Sequence, residues 1–163
     1  MGRIKSLTVM PNKVGTRQGR PASRFVWIPL SFVLLGLARV ALLTIPFKRI
    51  APLLGHDMQS AAMVPLAAPK EISRATHIGY SIRKAAKYTP WESKCLAQAM
   101  VARVLLGVND LPYALYLGVN TGDEGGLTAH AWVRVGPEAL VGGQAFSEYT
   151  VVGTFVSDKL LQS

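Results

Sequence analysis

The sequence predicts an α+β domain in which N-terminal helices are followed by an antiparallel β-meander. Between residues 71 and 106, apolar side chains recur every three or four positions, which is typical of helices packed on a core. From Tyr113 onward, short runs rich in β-branched and aromatic residues alternate with glycine-containing turns, which is typical of a sheet. Half of the 163 residues are hydrophobic, which is enough for one domain with a buried core.

The first 69 residues divide into a basic tail and a hydrophobic helical segment with a loop. Residues 1–24 carry six positive charges and no negative one, which predicts a disordered tail that attracts phosphates or an anionic membrane surface. Residues 25–69 open with an apolar stretch at 25–46, and three interpretations of it stay open: a buried or peripheral helix, a membrane span, and a signal peptide. Arg39 and the pair Lys48-Arg49 favour a helix that lies along a surface.

Composition excludes several classes of function. The net charge is +9, but no aromatic residues interleave the basic tail and no nucleic-acid motif follows it, so we expect no nucleic-acid partner. The single cysteine can form neither an internal disulfide nor a Cys-rich zinc site. The three histidines lack metal-ligand spacing. We therefore expect no bound metal or cofactor.

Two helices are predicted before the sheet. The first covers residues 71–88, where isoleucines and alanines form a buried stripe, and Pro90 ends it. The second is predicted to start at a capping box formed by residues 89–92, with Ser93 as the alternative cap, and to run to about Leu106. The Ser93 alternative puts Cys95 in the first helical turn.

Four strands are predicted in the second half of the chain. Residues 113–119 form the first strand, and residues 127–135 form the second after a glycine-rich turn, with His130 in its middle. Residues 139–141 are expected to pair back after a tight turn, and residues 149–156 to form a fourth strand. Helices followed by such a sheet make an α+β domain.

Cys95 and His130 are the candidate catalytic residues. A thiol attacks a carbonyl as the thiolate, and a helix N-terminus and a nearby imidazole both stabilise that anion. Backbone N–H groups at the helix start can also bind the oxyanion of a tetrahedral intermediate. The structural alternative is that Cys95 is a small buried hydrophobe and His130 a packed strand residue. A thiol on a helix followed by an imidazole on a strand is the order of papain-like and transglutaminase-like folds.

Three motifs surround this pair: Pro90-Trp91-x-x-x-Cys95-Leu96-x-x-Ala99, Leu117-Gly118-Val119 and Ala129-His130-Ala131-Trp132-Val133. Together they resemble the lasso peptide biosynthesis B2 protein, the leader peptidase of the transglutaminase-like superfamily. The resemblance covers roughly residues 25–155 and includes the hydrophobic opening that ends at residue 47, which favours a packed or peripheral helix over a membrane span. It implies that residues 70–163 form a transglutaminase-like cysteine peptidase core with a papain-like fold.

The resemblance implies a cysteine endopeptidase that removes the leader from a ribosomally synthesised lasso precursor peptide. Cys95 would be the nucleophile, and His130 the general base and then the general acid. We expect no winged-helix recognition domain at the N-terminus, which implies that a separate protein binds the leader. A partner cyclase similar to asparagine synthetase would then use ATP to join the freed amine to an acidic side chain. A cytoplasmic location is expected, with peripheral membrane contact as an option.

The chain departs from the family pattern at the third catalytic position. The family carries an Asp on the strand after the histidine strand, whereas residues 139–144 of this chain contain none. Gln144 or, alternatively, Glu138 is predicted to orient the imidazole, as an amide does in papain-like triads. The remaining alternative is that a backbone carbonyl orients the ring and that Glu138 is a solvated turn residue.

Two other functions stay open at this point. A transglutaminase-like acyltransferase or deamidase would use the same Cys–His pair, and it would exchange a glutamine amide instead of cutting a peptide bond. A non-enzymatic membrane-associated adaptor would use residues 25–46 as an anchor and the sheet as a binding face. Fast alkylation of the thiol near neutral pH would favour either enzyme over the adaptor.

Overall fold

The computed structural model describes residues 24–60, 64–121, 126–143 and 146–162. Helices come first and an antiparallel sheet follows, which confirms the predicted α+β class. The predicted tail at 1–24 lies outside the described residues except for Arg24. The described elements, in chain order, are α1 (Arg24–Thr44), α2 (Phe47–Ile50), β1 (His56–Asp57), α3 (Pro69–Ala86), α4 (Cys95–Val108), β2 (Ala114–Thr121), β3 (Leu127–Val135), β4 (Glu138–Val141), β5 (Thr150–Val156) and α5 (Asp158–Leu161).

The five strands form one sheet in the order β1-β5-β2-β3-β4, and every neighbouring pair is antiparallel. Strands β2, β3 and β4 follow one another as predicted, whereas β5 returns across the sheet to pair with β2. Strand β1 lies within residues 25–69, for which the sequence predicted only a helical segment and a loop. Its two residues carry too short a pattern to be recognised, and pairing with β5 defines them as a strand.

The main core lies between the sheet and a layer of three helices. Helix α1 packs on α3 and α4, and these two helices pack on β3 and β4. The residues that fill this layer include Leu35, Ile82, Leu105, Leu106, Leu115, Ala131, Val133 and Leu140. A smaller cluster, formed by Ala114, Tyr116, Trp132 and Val156, covers the other face of the sheet. Because alternate residues of β3 belong to the two clusters, the two faces of this strand are well defined.

Helix α4 starts later than predicted, and the capping box at residues 89–92 is wrong. The helix begins at Cys95, its N-cap is Lys94, and no side chain caps it. The hydroxyl of Thr89 donates instead to the carbonyl of Ala86 at 2.9 Å, and it lies 2.8 Å from the hydroxyl of Ser93. Thr89 therefore closes the end of α3, and the alternative cap at Ser93 misses the helix start by one residue.

Helix α3 lies close to β4 because of a glycine. A Cβ on Gly79 would lie 2.9 Å from the Cβ of Leu140, closer than such atoms approach one another. At the other end of the helix, the backbone N–H of Ala68 donates to Oε2 of Glu71 at 2.7 Å, which satisfies one of the free donors of the helix start. These contacts fix α3 beside the edge of the sheet, where it forms one wall of a cleft.

Candidate active site

Cys95 is the first residue of α4, at an end of the helix that is left uncapped. Its side chain is half-buried and packs against the main core. The first α-helical hydrogen bond runs from the N–H of Gln98 to the carbonyl of Lys94 at 3.2 Å. The N–H groups of Cys95, Leu96 and Ala97 therefore have no acceptor within the helix. A thiol thus sits beside three free N–H donors and the positive end of the helix dipole.

The imidazole of His130 is held by a main-chain carbonyl. Its Nε2 lies 2.7 Å from the carbonyl oxygen of Gly142. Because a carbonyl only accepts, Nε2 carries the proton, and Nδ1 of the neutral ring is left as an acceptor. The backbone turns at Gly142 with φ +68°, and a Cβ there would lie 2.1 Å from the carbonyl oxygen of Ala131. A glycine at this position is therefore needed for the carbonyl to reach the ring.

Two aromatic rings flank the same imidazole. The ring centroid of Tyr149 lies 4.9 Å from that of His130, and the centroid of Trp132 lies 6.0 Å away. Gly118 is the cross-strand partner of His130. A Cβ on Gly118 would lie 2.8 Å both from the Trp132 ring and from the Cβ of Tyr149. The missing side chain thus opens the space in which the three rings meet.

His130 faces a cleft of about 960 Å³ that the start of α4 also lines. Strand β4 ends at Val141, opposite Val133, so His130 lies on a part of β3 that forms the open edge of the sheet. Ser93 and Gln98, on either side of Cys95 in the chain, line the cleft, and Nε2 of Gln98 donates to the Ser93 carbonyl at 2.8 Å. The fold thereby places His130 and two residues that flank Cys95 on one cleft, whereas Cys95 itself is not among the residues that line it.

The thiol and the imidazole are not in contact in this state. Among the described residues, no hydrogen bond joins Cys95 to His130. Ala131 lies in the core under the helices, whereas His130 shares the opposite strand face with Trp132. The imidazole must therefore turn around the strand edge to meet the thiol. Catalytic hydrogen bonds often close only when substrate is bound, so an open pair is compatible with catalysis.

The third catalytic position remains a prediction. Gln144 lies outside the described residues. Glu138 is exposed and pairs with Val135, five residues along β3 from His130. The carbonyl of Gly142 occupies the orienting position at Nε2. A main-chain carbonyl has no side-chain signature, so the sequence offered this group only as a general alternative, without a residue.

One wall of the cleft is cationic. Helix α3 contributes Arg83 and Lys84, and Lys87 follows directly after its last residue. No Asp or Glu is among the described residues that line the cleft. The guanidinium of Arg83 donates to the carbonyl of Leu140, and a hydrogen bond with Tyr88 raises the pKa of Lys84. That these cations border the candidate site depends on how α3 packs against β4, which the sequence pattern does not reveal.

Within the described residues, no three His, Cys, Asp or Glu side chains come together as metal ligands.

The sequence of this part of the chain matches a known protein family. The model of the family described as transglutaminase-like superfamily matches residues 41–154, which include both Cys95 and His130. No curated protein and no solved structure matches the chain significantly. The family match covers well over half of the chain, and its fold is the cysteine-protease-like fold expected from the motifs. The chain therefore belongs to the transglutaminase-like superfamily.

Proposed function

We propose that this protein is a cysteine endopeptidase that removes the leader from a ribosomally synthesised lasso-peptide precursor. The observation that carries the proposal is which nitrogen of the His130 ring is left free to accept a proton. Its Nε2 is held at 2.7 Å by Gly142, which leaves Nδ1 as the basic nitrogen on a cleft that the start of the Cys95 helix lines. A nucleophile, a base and an orienting group are the parts that acyl transfer by a thiol requires.

The proposed reaction starts with proton transfer from the Cys95 thiol to Nδ1 of His130. The thiolate attacks the scissile carbonyl, and the free N–H groups of the first turn of α4 bind the oxyanion of the tetrahedral intermediate. The C–N bond breaks as the imidazolium gives its proton to the leaving amine, which leaves a thioester on Cys95. Water, deprotonated by the same imidazole, hydrolyses the thioester and releases the leader with a new carboxylate.

The cationic wall supports a peptide substrate with acidic residues near the cut. Arg83, Lys84 and Lys87 form no ion pair with another described residue, so their charges are available to a ligand. Opposite charges across a binding surface steer association and fix the register of the bound chain. We expect the wall to contribute to substrate binding, while Cys95 and His130 carry the bond cleavage.

The proposal includes partners that the chain would work with. A separate protein would bind the leader and present the precursor to the cleft. An asparagine-synthetase-like cyclase would then consume ATP to close the ring on the freed amine. The peptidase itself would need no bound cofactor. The protein would act in the cytoplasm.

Replacement of the thiol is the direct test. The Cys95→Ala variant should fold normally and lose cleavage of a lasso-type precursor peptide by at least about 10⁴-fold, as expected when a nucleophile is removed. Cleavage is followed by mass spectrometry with the leader-binding protein present. Ser93→Ala, which changes a neighbouring cleft residue, should retain most of the activity. Full cleavage by the Cys95→Ala variant would disprove the proposal.

The same experiment separates the peptidase from its nearest alternative. With an added amine donor, an acyltransferase would give a mass shift on a glutamine of the intact precursor, and a deamidase would add one mass unit there. A peptidase gives two fragments that meet at one peptide bond. Glutamine modification without fragments would replace the proposed hydrolysis by an acyl transfer that uses the same Cys95–His130 pair.

A further inference from the structure

Helix α1 carries a long apolar face that no described part of the protein covers. Large side chains spaced three or four residues apart point outward along the whole helix, with exposures of 64% for Val26, 58% for Val33, 61% for Leu37 and 58% for Val40. Leu30 and Leu43 extend the same face. Soluble proteins rarely leave such a continuous apolar stripe in water. The stripe therefore indicates that this face of α1 is covered by a binding partner or a membrane when the protein functions.

The opposite face of α1 is docked on the domain. Leu35 is fully buried and Ala38 nearly so. The ring of Phe32 packs on Trp91, with centroids 5.3 Å apart, and a Cβ on Gly36 would lie 3.2 Å from the same indole. The helix is long and apolar enough to cross a membrane by length and composition, but a crossing helix would have to give up these contacts. A docked α1 can meet a bilayer only by lying along its surface.

The charge around α1 and the groove beside it indicate what covers the exposed face of the helix. Asp57 is the only acidic residue among the first 70, which otherwise carry ten lysines and arginines, and Lys48 and Arg49 directly after α1 are exposed. Cations beside an exposed apolar stripe fit the headgroups and acyl chains of an anionic lipid surface. Beside the stripe, α1 and α4 enclose an apolar groove of about 210 Å³ lined by Leu34, Leu37, Ala38, Ala41, Met100, Val101 and Val104, which a lipid chain can enter.

We propose that α1 lies in the plane of an anionic membrane, with its outward face among the acyl chains and its inward face on the domain. The protein is then a peripheral membrane protein whose candidate catalytic helix is tied to the membrane through Trp91, four residues before Cys95. This placement is independent of the proposed peptidase activity, because none of the residues that carry it lines the cleft with His130.

Vesicle sedimentation of the full chain tests the placement. The protein should bind phosphatidylcholine vesicles that contain phosphatidylglycerol at least about tenfold more tightly than pure phosphatidylcholine vesicles. Leu37→Glu and, separately, Val33→Glu should each weaken binding about tenfold or more, because each puts a charge among acyl chains. Leu66→Glu is the matched control, since it makes the same charge change at a residue that is 84% exposed and outside α1. Its binding should change less than twofold.

Each of four other outcomes would overturn the proposal. The first is no binding to anionic vesicles, and the second is equal weakening by Leu66→Glu and Leu37→Glu, which would indicate a charge effect alone. The third is resistance of bound protein to alkaline carbonate extraction, which would indicate a membrane-spanning helix. The fourth is a stable dimer in light scattering that Leu37→Glu dissociates while vesicles bind nothing, which would assign the face to a second copy of the chain.

Discussion

The two halves of the candidate site, His130 on the sheet and Cys95 at the start of α4, differ in how many contacts hold them. On the sheet, His130 is fixed by a hydrogen bond to Gly142 and flanked by Tyr149 and Trp132. At the helix start, Cys95 has no hydrogen bond among the described residues, and the first turn of α4 has no side-chain cap. The imidazole is thus held by its own contacts on the strand face opposite the core-packed thiol, whereas the thiol and its N–H groups are left for a substrate to engage. Backbone N–H groups fixed at a helix start, as in the first turn of α4, are donors that can stabilise a developing oxyanion.

After replacement of the thiol itself, removal of the proposed base His130 should show the largest effect. His130→Gln keeps a polar side chain but cannot take the thiol proton, so precursor cleavage should fall by about 10²- to 10⁴-fold. Alkylation of Cys95 by iodoacetamide near neutral pH should slow as well, because the imidazole no longer stabilises the thiolate. His77→Gln is the control, since that ring bonds to the Ser73 carbonyl on α3. Equal alkylation rates in the wild type and His130→Gln would show that the two residues do not act together.

A larger side chain at Gly118, next to the rings that flank His130, tests whether the orientation of the imidazole matters for catalysis. An alanine at Gly118 would push against Trp132 and Tyr149, each 2.8 Å from the new Cβ, and so shift the rings around His130. We expect kcat to fall about tenfold or more with little change in KM, because misplaced catalytic groups lose rate before binding. The free energy of unfolding should fall by about 1–3 kcal/mol, as in other overpacked sites.

Gly107→Ala is the matched control for this variant. Nothing lies within 4 Å of its new Cβ, and the residue is in α4, where alanine is the better helix former. This variant should keep its activity and gain up to about 1 kcal/mol of stability. If Gly118→Ala retained wild-type kcat, the aromatic rings would be packing elements without a role in positioning the base.

Side-chain patterns predicted the sheet half of the fold well and the helix start less well. Strand β3 was placed at 127–135 as observed, because its pattern is long and bounded by turns. The start of α4 was misplaced, because Thr89-Pro90 looks like a cap in sequence while the hydroxyl of Thr89 closes α3 in three dimensions. The His130 partner was anticipated only as an unspecified backbone carbonyl, and for a different reason its residue could not be named. It is a main-chain carbonyl, whose position depends on a glycine turn and on no side chain.

Charge reversal on the cleft wall should have a smaller effect than either change at the base. Lys84→Glu together with Lys87→Glu should raise KM for the precursor by about three- to tenfold and leave kcat nearly unchanged, because exposed charges act on binding and are weakened by salt. The difference from the wild type should shrink as salt is added. Lys70→Glu with Arg74→Glu, at the other end of α3, is the matched control. A fall in kcat instead would place these cations in the catalytic step.

The smallest effect is expected far from the site, at the N-terminal end of α3. Glu71 receives the Ala68 N–H at 2.7 Å and pairs with Lys159 at 2.9 Å. The hydrogen bond from Lys159, and then that from Ala68, lowers the pKa of the carboxyl, and Glu71 in turn raises the pKa of Lys159. Glu71→Gln should cost about 1 kcal/mol of unfolding free energy near neutral pH and leave cleavage unchanged, because the contacts are partly exposed and lie outside the cleft.

The pH dependence of this loss follows from the direction of the two shifts. A carboxyl with a lowered pKa stabilises the fold above its unfolded value, and this contribution disappears as pH falls through the folded value. An amine with a raised pKa stabilises below its unfolded value and loses that contribution as pH rises through the folded value. Urea unfolding of wild type and Glu71→Gln should therefore differ most between these limits and converge in acid. Glu92→Gln, which breaks the more exposed pair with Lys94, should show almost no difference at any pH. A loss of cleavage in Glu71→Gln would mean that the far end of α3 is coupled to the imidazole after all.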